Sequence, residues 1–341
     1  MARTSKKINL ALQGGGAHGA LAWGIIDKLL EDGRVSFDSI SATSAGAMNA
    51  AVLAYGLARG GNDAAREALH SFWKMISDAG ELYSPIRSTP IESFFNVKME
   101  HSMSYFLFDL LTKIFSPYQL NPFNFNPLRE VLEKNVDFNE IASCKHTKIF
   151  ISATNVKTGK IKVFDNKEIS IDAVMASACL PFMFQAVKVE EDYYWDGGYM
   201  GNPAIFPLIY NSDCNDVLIL HINPIYRDEV PETAADILNR VNEISFNSSL
   251  MREMRAINFV SRLIDENWIK DEYKSKLKRM FIHAIRADMT MQSYSVASKL
   301  NPEWAFIREL YETGRAKGEE WLKDNLNKIG KVSSIDITEY M

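Results

Sequence analysis

The chain has 341 residues, 47% hydrophobic and 24% charged, with 38 basic against 43 acidic side chains and a formal net charge of −5. Such values belong to a folded globular protein; they exclude disorder as the main state, three cysteines exclude a disulfide scaffold, and the acidic balance argues against nucleic acid as the partner. No apolar run reaches the ~18 residues of a membrane-spanning helix, and the apolar start at 8–12 is cut by Gln13 and three glycines, which reads as a first strand rather than a signal peptide.

The short apolar run 8–12 predicts a buried strand, and Leu21, Ile25, Ile26, Leu29 and Leu30 have the spacing of a helix over 17–30, closed by Asp32-Gly33. A second strand is expected at 38–43, a small-residue helix at 45–57 and another at 64–76. The stretch 84–126 is rich in Phe, Tyr, Pro and Met and has weak periodicity. A helix follows at 128–134, then strands at 148–155 and 160–165 around a Lys157-Thr158-Gly159 turn. The remaining expectations are a helix at 171–178, an extended segment at 187–195, strands at 217–222 and 280–285, and amphipathic helices at 234–268 and 302–327. Strands alternating with helices predict an α/β fold, three layers α/β/α around a mainly parallel sheet. No linker divides the chain, so one domain over 8–330 is expected, with a motif-bearing core at 8–210 and a helical C-terminal elaboration at 233–330.

Three glycine-bearing motifs carry the chemistry. Gly14-Gly15-Gly16-Ala17-His18-Gly19 lies between a strand and a helix, where successive backbone N–H groups can converge on an anion. Ala42-Thr43-Ser44-Ala45-Gly46, also between strand and helix, has the small residues of a nucleophile elbow, with Ala42 in place of the usual first glycine. Trp195-Asp196-Gly197-Gly198 is by itself an ordinary turn. Beside the other two motifs it supplies a base. Gly14, Gly16 and Gly19 also fit a dinucleotide fingerprint, with Asp38 about 20 residues on. That acid should end the second strand, whereas Asp38 is read as preceding it, so the nucleotide reading is disfavoured.

In this order the motifs resemble those of the patatin-like phospholipases, lipid acyl hydrolases with a glycine-rich oxyanion loop, a serine elbow and a later D-G-G motif. The resemblance implies a Ser–Asp dyad: Ser44 as nucleophile, Asp196 as base, and Gly14, Gly15 and Gly16 as the oxyanion loop. The segment Ala176-Ser177-Ala178-Cys179-Leu180-Pro181 is similar to the family segment preceding the D-G-G strand. His18 stands where that loop has Arg or Lys.

A histidine triad is the rival mechanism, since His221 and His283 follow Asp196 in the order of α/β-hydrolases, but each sits in an apolar strand. No cofactor and no metal are expected: the three cysteines and six histidines have no ligand spacing. Phe106 and Phe108 lie in an aromatic-rich stretch with Leu107, Leu110, Leu111 and Ile114 at helical spacing. They are assigned either to an acyl pocket or membrane-facing lid, or to a helix burying one face in the core. The overall expectation is a phospholipase or lysophospholipase acting on membrane lipid or lysolipid, cytoplasmic with peripheral membrane contact and no nucleic-acid partner. The alternatives are a carboxylesterase for non-membrane esters and a non-catalytic lipid- or nucleotide-binding module.

Overall fold

The computed structural model describes residues 5–83, 102–144, 147–274 and 277–341. In chain order its elements are β1 (Lys6–Leu12), α1 (Gly19–Asp32), β2 (Val35–Ala42), α2 (Ala45–Tyr83), α3 (Met103–Ile114), α4 (Pro127–Asn135), β3 (Lys148–Asn155), β4 (Ile161–Phe164), α5 (Ile171–Ser177), β5 (Val187–Val189), β6 (Asp192–Asp196), β7 (Asp216–Leu220), α6 (Ala234–Asp265), β8 (Phe281–Ile285) and α7 (Trp304–Asn325), joined by short helical turns. The sheet order is β5-β6-β3-β2-β1-β7-β8, with β4 also paired to β3. Strands β3, β2, β1, β7 and β8 run parallel, and β4, β5 and β6 are added antiparallel.

Alternation along each strand decides which layer it feeds. Ile8, Leu10 and Leu12 of β1 and Leu218 and Leu220 of β7 face a core shared with α1, α2 and α7. Ala11, Val217 and Ile219 face the other side, where Leu250, Met254 and Ile257 of α6 cover the sheet. A sheet apolar on both faces requires cover on both. The result is the three-layer α/β/α arrangement that the alternation of elements predicts.

Several boundaries move. β2 begins at Val35, so Asp38 lies inside the strand rather than before it. The extended segment at 187–195 is a hairpin, β5 and β6, turned at Glu190 with φ 54°. The two helices expected on either side of residue 60 are one helical run, α2, broken by non-helical backbone at Gly60 and Gly61. α1 ends as Asp32-Gly33 implies: Gly33 adopts φ 70° and its N–H caps Leu29 O. Of the aromatic stretch 84–126, residues 84–101 lie outside the described residues. Its helix, α3, turns the apolar row outward: Phe106 is 62% exposed and Ile114 63%. That excludes the reading in which this helix buries that face in the core.

The C-terminal helix is tied to the first one. A Cβ on Gly24 would lie 2.0 Å from Tyr311 O, and one on Gly314 would lie 2.1 Å from Leu21 O, so α1 and α7 meet backbone to backbone. Buried Asp27 of α1 adds a polar anchor, accepting from Arg66 Nε (2.9 Å), from Tyr311 Oη (3.0 Å) and from Arg315. Gly314→Val would force the two helices apart. It should lower unfolding free energy by about 3 kcal/mol, read by urea denaturation; a wild-type midpoint would mean the crossing tolerates a side chain.

Candidate active site

Parallel strands point their C-terminal ends to one edge of the sheet, where open α/β folds place ligands. β1 and β2 deliver the glycine loop and Ser44 to that edge. β6, running antiparallel to β3, brings Asp196 opposite Ala153 at the same level. A two-residue step takes the chain from β2 into α2, and Ser44 occupies it at φ 57°, a region rarely adopted by non-glycine residues. The elbow therefore forms with Ala42 as the last residue of β2. The Ser44 N–H donates to Ser177 Oγ at 2.9 Å. Thr43 Oγ1 donates to Gly201 O at 2.6 Å, joining the elbow to the loop after the D-G-G motif.

Asp196 is fully buried. Its N–H is held by Cys179 O (2.8 Å), and its Oδ1 accepts from Gly198 N–H (2.7 Å). Oδ2 is buried with no hydrogen-bond partner among the described residues. Burial raises the carboxyl pKa to about 6; the Gly198 N–H, the neighbouring Ser44 side chain and the charge of Lys299 pull the other way without offsetting it. The Ser44 side chain is thus a neighbour that favours the charged carboxylate, and no other described residue bonds Oδ2.

The glycine loop packs directly on the serine. A Cβ on Gly14 would lie 2.5 Å from Ser44 Cβ. Gly14 is pinned at both ends of its peptide: its N–H donates to Asn202 Oδ1 (2.6 Å), and its carbonyl accepts from Asn223 Nδ2 (2.9 Å). The expected oxyanion loop is therefore narrower in its donors, because the N–H of Gly14 is committed. Those of Gly15 and Gly16 donate to no described residue. Gly16 has φ 58°, and a Cβ there would lie 2.3 Å from Lys299 O, so the position admits only glycine. Gln13 organises the floor: its Oε1 accepts from the N–H of Ile222 and Asn223, and its Nε2 donates to Asn202 O and Asn247 Oδ1.

The histidines are engaged elsewhere. His18 is buried with Nε2 2.7 Å from Ser298 Oγ, and burial, then the charge of Lys299, holds its pKa well below 6.5, so it carries no charge at neutral pH. His221 Nε2 pairs with Tyr340 Oη at 2.6 Å, and burial lowers its pKa to about 3. His283 Nε2 meets Asp216 Oδ1 at 3.0 Å, at the start of β7 and so at the opposite edge of the sheet. Asp38 accepts from Ser212 Oγ (2.8 Å) in mid-strand, out of reach of the glycine loop's ligand side. Among the described residues, no group of His, Cys, Asp and Glu is placed to hold a metal.

Phe106 and Phe108 are not buried beside Ser44; Phe106 is exposed and Phe108 half-buried. Their insert nevertheless reaches the edge of the site. Ala186 N–H donates to Tyr118 Oη (3.3 Å) and Gln185 Nε2 to Asn121 O (2.8 Å). The same segment starts at Cys179, whose carbonyl holds Asp196. Asn223 and Lys299 escape a reading of the sequence, since each acts across a long chain separation, whereas Asn202, just after the D-G-G motif, reads as ordering that loop and does so by holding Gly14 N–H. Ser177 has a visible signal in the 176–181 segment.

A family model described as patatin-like phospholipase matches residues 10–209. Among solved structures, VipD from Legionella pneumophila is 14% identical, with 93% of this chain and 66% of that chain covered and a TM-score of 0.43. The type III effector ExoU is 15% identical over 94% of this chain and 54% of that one, TM-score 0.33. The complex of full-length SpcU with full-length ExoU from the type III secretion system of Pseudomonas aeruginosa matches at 14% identity, 99% and 76% coverage, and TM-score 0.30. The chain thus spans just under two thirds of VipD and about half of ExoU. No curated protein matches it.

Asp196 sets a pH-dependent stability. The folded state keeps its proton up to about pH 6, whereas an unfolded aspartate releases it near 3.9. Stability therefore decreases as pH rises through that interval, and the loss persists at pH 7. Asp196→Asn should stabilise the protein at pH 7, on the order of 1–3 kcal/mol, with the gain fading below about pH 4. Melting curves at both pH values check this; a difference independent of pH would assign the effect to something other than the carboxyl charge.

Proposed function

Because the chain belongs to the patatin-like phospholipase family, we propose that it is a lipid acyl hydrolase working through an acyl-serine intermediate, with Ser44 and Asp196 as its dyad. The observation that carries this reading is the free, buried Oδ2 of an aspartate with pKa about 6, beside a serine held in a strained turn. An ordinary carboxylate is too weak a base to help a serine at neutral pH; a desolvated one is stronger.

The proposed reaction begins with the Ser44 Oγ proton passing to Asp196 Oδ2 as Oγ bonds to the ester carbonyl carbon. The negative charge that forms on the carbonyl oxygen is met by the unengaged N–H groups of Gly15 and Gly16, with Gly14 locking the loop. Collapse breaks the bond to the leaving alcohol, which takes the proton from Asp196. Water then repeats the sequence: it gives a proton to Asp196, attacks the acyl carbon, and releases the fatty acid as Ser44 regains its hydrogen. No step requires His221 or His283.

The exposed apolar insert supports a lipid rather than a soluble ester as substrate. Phe106, Leu107, Leu110, Ile114, Phe123 (94% exposed) and Phe125 form more open apolar surface than a protein in water ordinarily keeps. Phe182, 69% exposed, lies in the segment between Cys179 and Gln185 that borders the site. We assign this face to membrane lipid or lysolipid, met peripherally from the cytoplasm. No helix among the described residues is long and apolar enough to cross a membrane.

Ser44→Ala should lower turnover of a p-nitrophenyl ester by ~10⁴-fold or more, and a fluorophosphonate should label Ser44. An adduct on Ser177 would refute the assignment. Wild-type kcat/KM should rise with pH through about 6 as Asp196 ionises, and His221→Ala and His283→Ala should keep that profile if they fold. Phe106→Ser should weaken liposome binding and long-chain hydrolysis while sparing the short ester and the melting temperature, because the ring is already in solvent. Equal losses on both substrates would place it in the protein's packing instead.

A further inference from the structure

The reaction proposed above builds negative charge at a loop whose own histidine is neutral. The short helical turn Ala297–Leu300, outside residues 10–209, lies on that loop. Lys299 O is the atom that presses on Gly16, and Ser298 Oγ holds the His18 ring. The Lys299 ammonium donates to Asn223 Oδ1 (2.8 Å) and Asn242 Oδ1 (3.1 Å). Asn223 is the residue whose amide nitrogen holds the carbonyl of Gly14. Lys299 Nζ also lies 5.5 Å from the centre of the Phe246 ring, whose edge fills the space where a Cβ on Gly198 would stand. The ammonium therefore bears on the glycine loop through one neighbour and on the Asp196 turn through another.

We propose that Lys299 is the cationic positioning residue of the oxyanion loop, supplied from the C-terminal part of the chain where His18 carries no charge. Its partners at hydrogen-bond distance are neutral amides. Glu243 of α6 faces it but is engaged by Arg227 (at 2.5 Å) and Arg240 (at 3.1 Å). The remaining charged or titratable groups facing it are Asp196 of β6, Arg227 in the loop after β7, and His18. A cation with no carboxylate in ion-pair contact among the described residues is left to balance the negative charge that passes from Asp196 to the carbonyl oxygen as Ser44 attacks. Burial first, and the charge of the half-buried Lys299 second, keep His18 neutral, so the cation at this loop is the lysine. Burial lowers the Lys299 pKa to about 8, against the pull of Glu243 and Asp196. Below that pH it is charged; above it the loop loses its cation and activity should fall.

This inference rests on the hydrolase reading, and the test separates the two. Kinetics on p-nitrophenyl butyrate from pH 5 to 9.5 would compare wild type, Lys299→Met and Lys299→Arg, each with a melting curve. Lys299→Met should lower kcat about 10- to 100-fold with KM nearly unchanged. The wild-type alkaline limb near pH 8 should vanish in Lys299→Arg, because a guanidinium keeps its proton throughout. A folded Lys299→Met with wild-type kcat, or an alkaline limb at the same pH in wild type and Lys299→Arg, would overturn the proposal. The Arg comparison decides alone if the Met variant does not fold. Wild type that neither turns over the ester nor takes a fluorophosphonate on Ser44 overturns the hydrolase reading and this one with it. An active enzyme indifferent to Lys299 overturns only this one.

Discussion

A carboxyl group enclosed at a strand end, with one oxygen unbonded and no cation in ion-pair contact among the described residues, is unfavourable when ionised. The arrangement at Asp196 persists because its surroundings are held by other means. Its backbone is fixed by Cys179 and Thr154, its second oxygen by Gly198, and the loop that follows by Thr43 and Asn202. The strain of Ser44 at positive φ belongs with the same arrangement. Both are costs concentrated at one edge of the sheet, and both are met by burial of apolar strand residues on its two faces.

Polar side chains tie this edge together. Gln13, Asn202, Asn223 and Asn247 form a buried set in which nearly every donor and acceptor is used, and the glycine loop is hung from it. Such networks confer geometry rather than net stability, since each amide gives up water to join. The one amide nitrogen left over, Nδ2 of Asn202, is buried without a partner among the described residues, beside the glycine loop whose Gly14 N–H its Oδ1 accepts.

The part of the chain beyond the matched span is structurally continuous with the part inside it. α7 crosses α1 at backbone contact, α6 covers the far face of the sheet, and the 297–300 turn seats on Gly16. The site is thus assembled from both ends of the chain. The exposed insert stands apart from this packing: its hydrogen bonds to Gln185 and Ala186 anchor it, while its aromatic rings add little to the core.

Local signals were enough to place β1, the glycine loop, the serine elbow and the D-G-G turn, because these depend on residues within a few positions of one another. Glycines, a strand apolar throughout and a helix of small residues have only a few ways to be joined. The outward face of α3 was not legible, since Leu107, Leu110 and Ile114 have the same spacing whether they meet a core or solvent. Nor was the neutrality of His18, which is set by burial against Ser298, Tyr294 and Phe306, some 280 residues away. Nor was Lys299, one lysine among many until folding brought it to the loop. The sequence by itself determined which groups are candidates for the proposed chemistry. Tertiary structure decided their charge states and their free hydrogen bonds, because desolvation and partners at long chain separation exist only once the layers have closed.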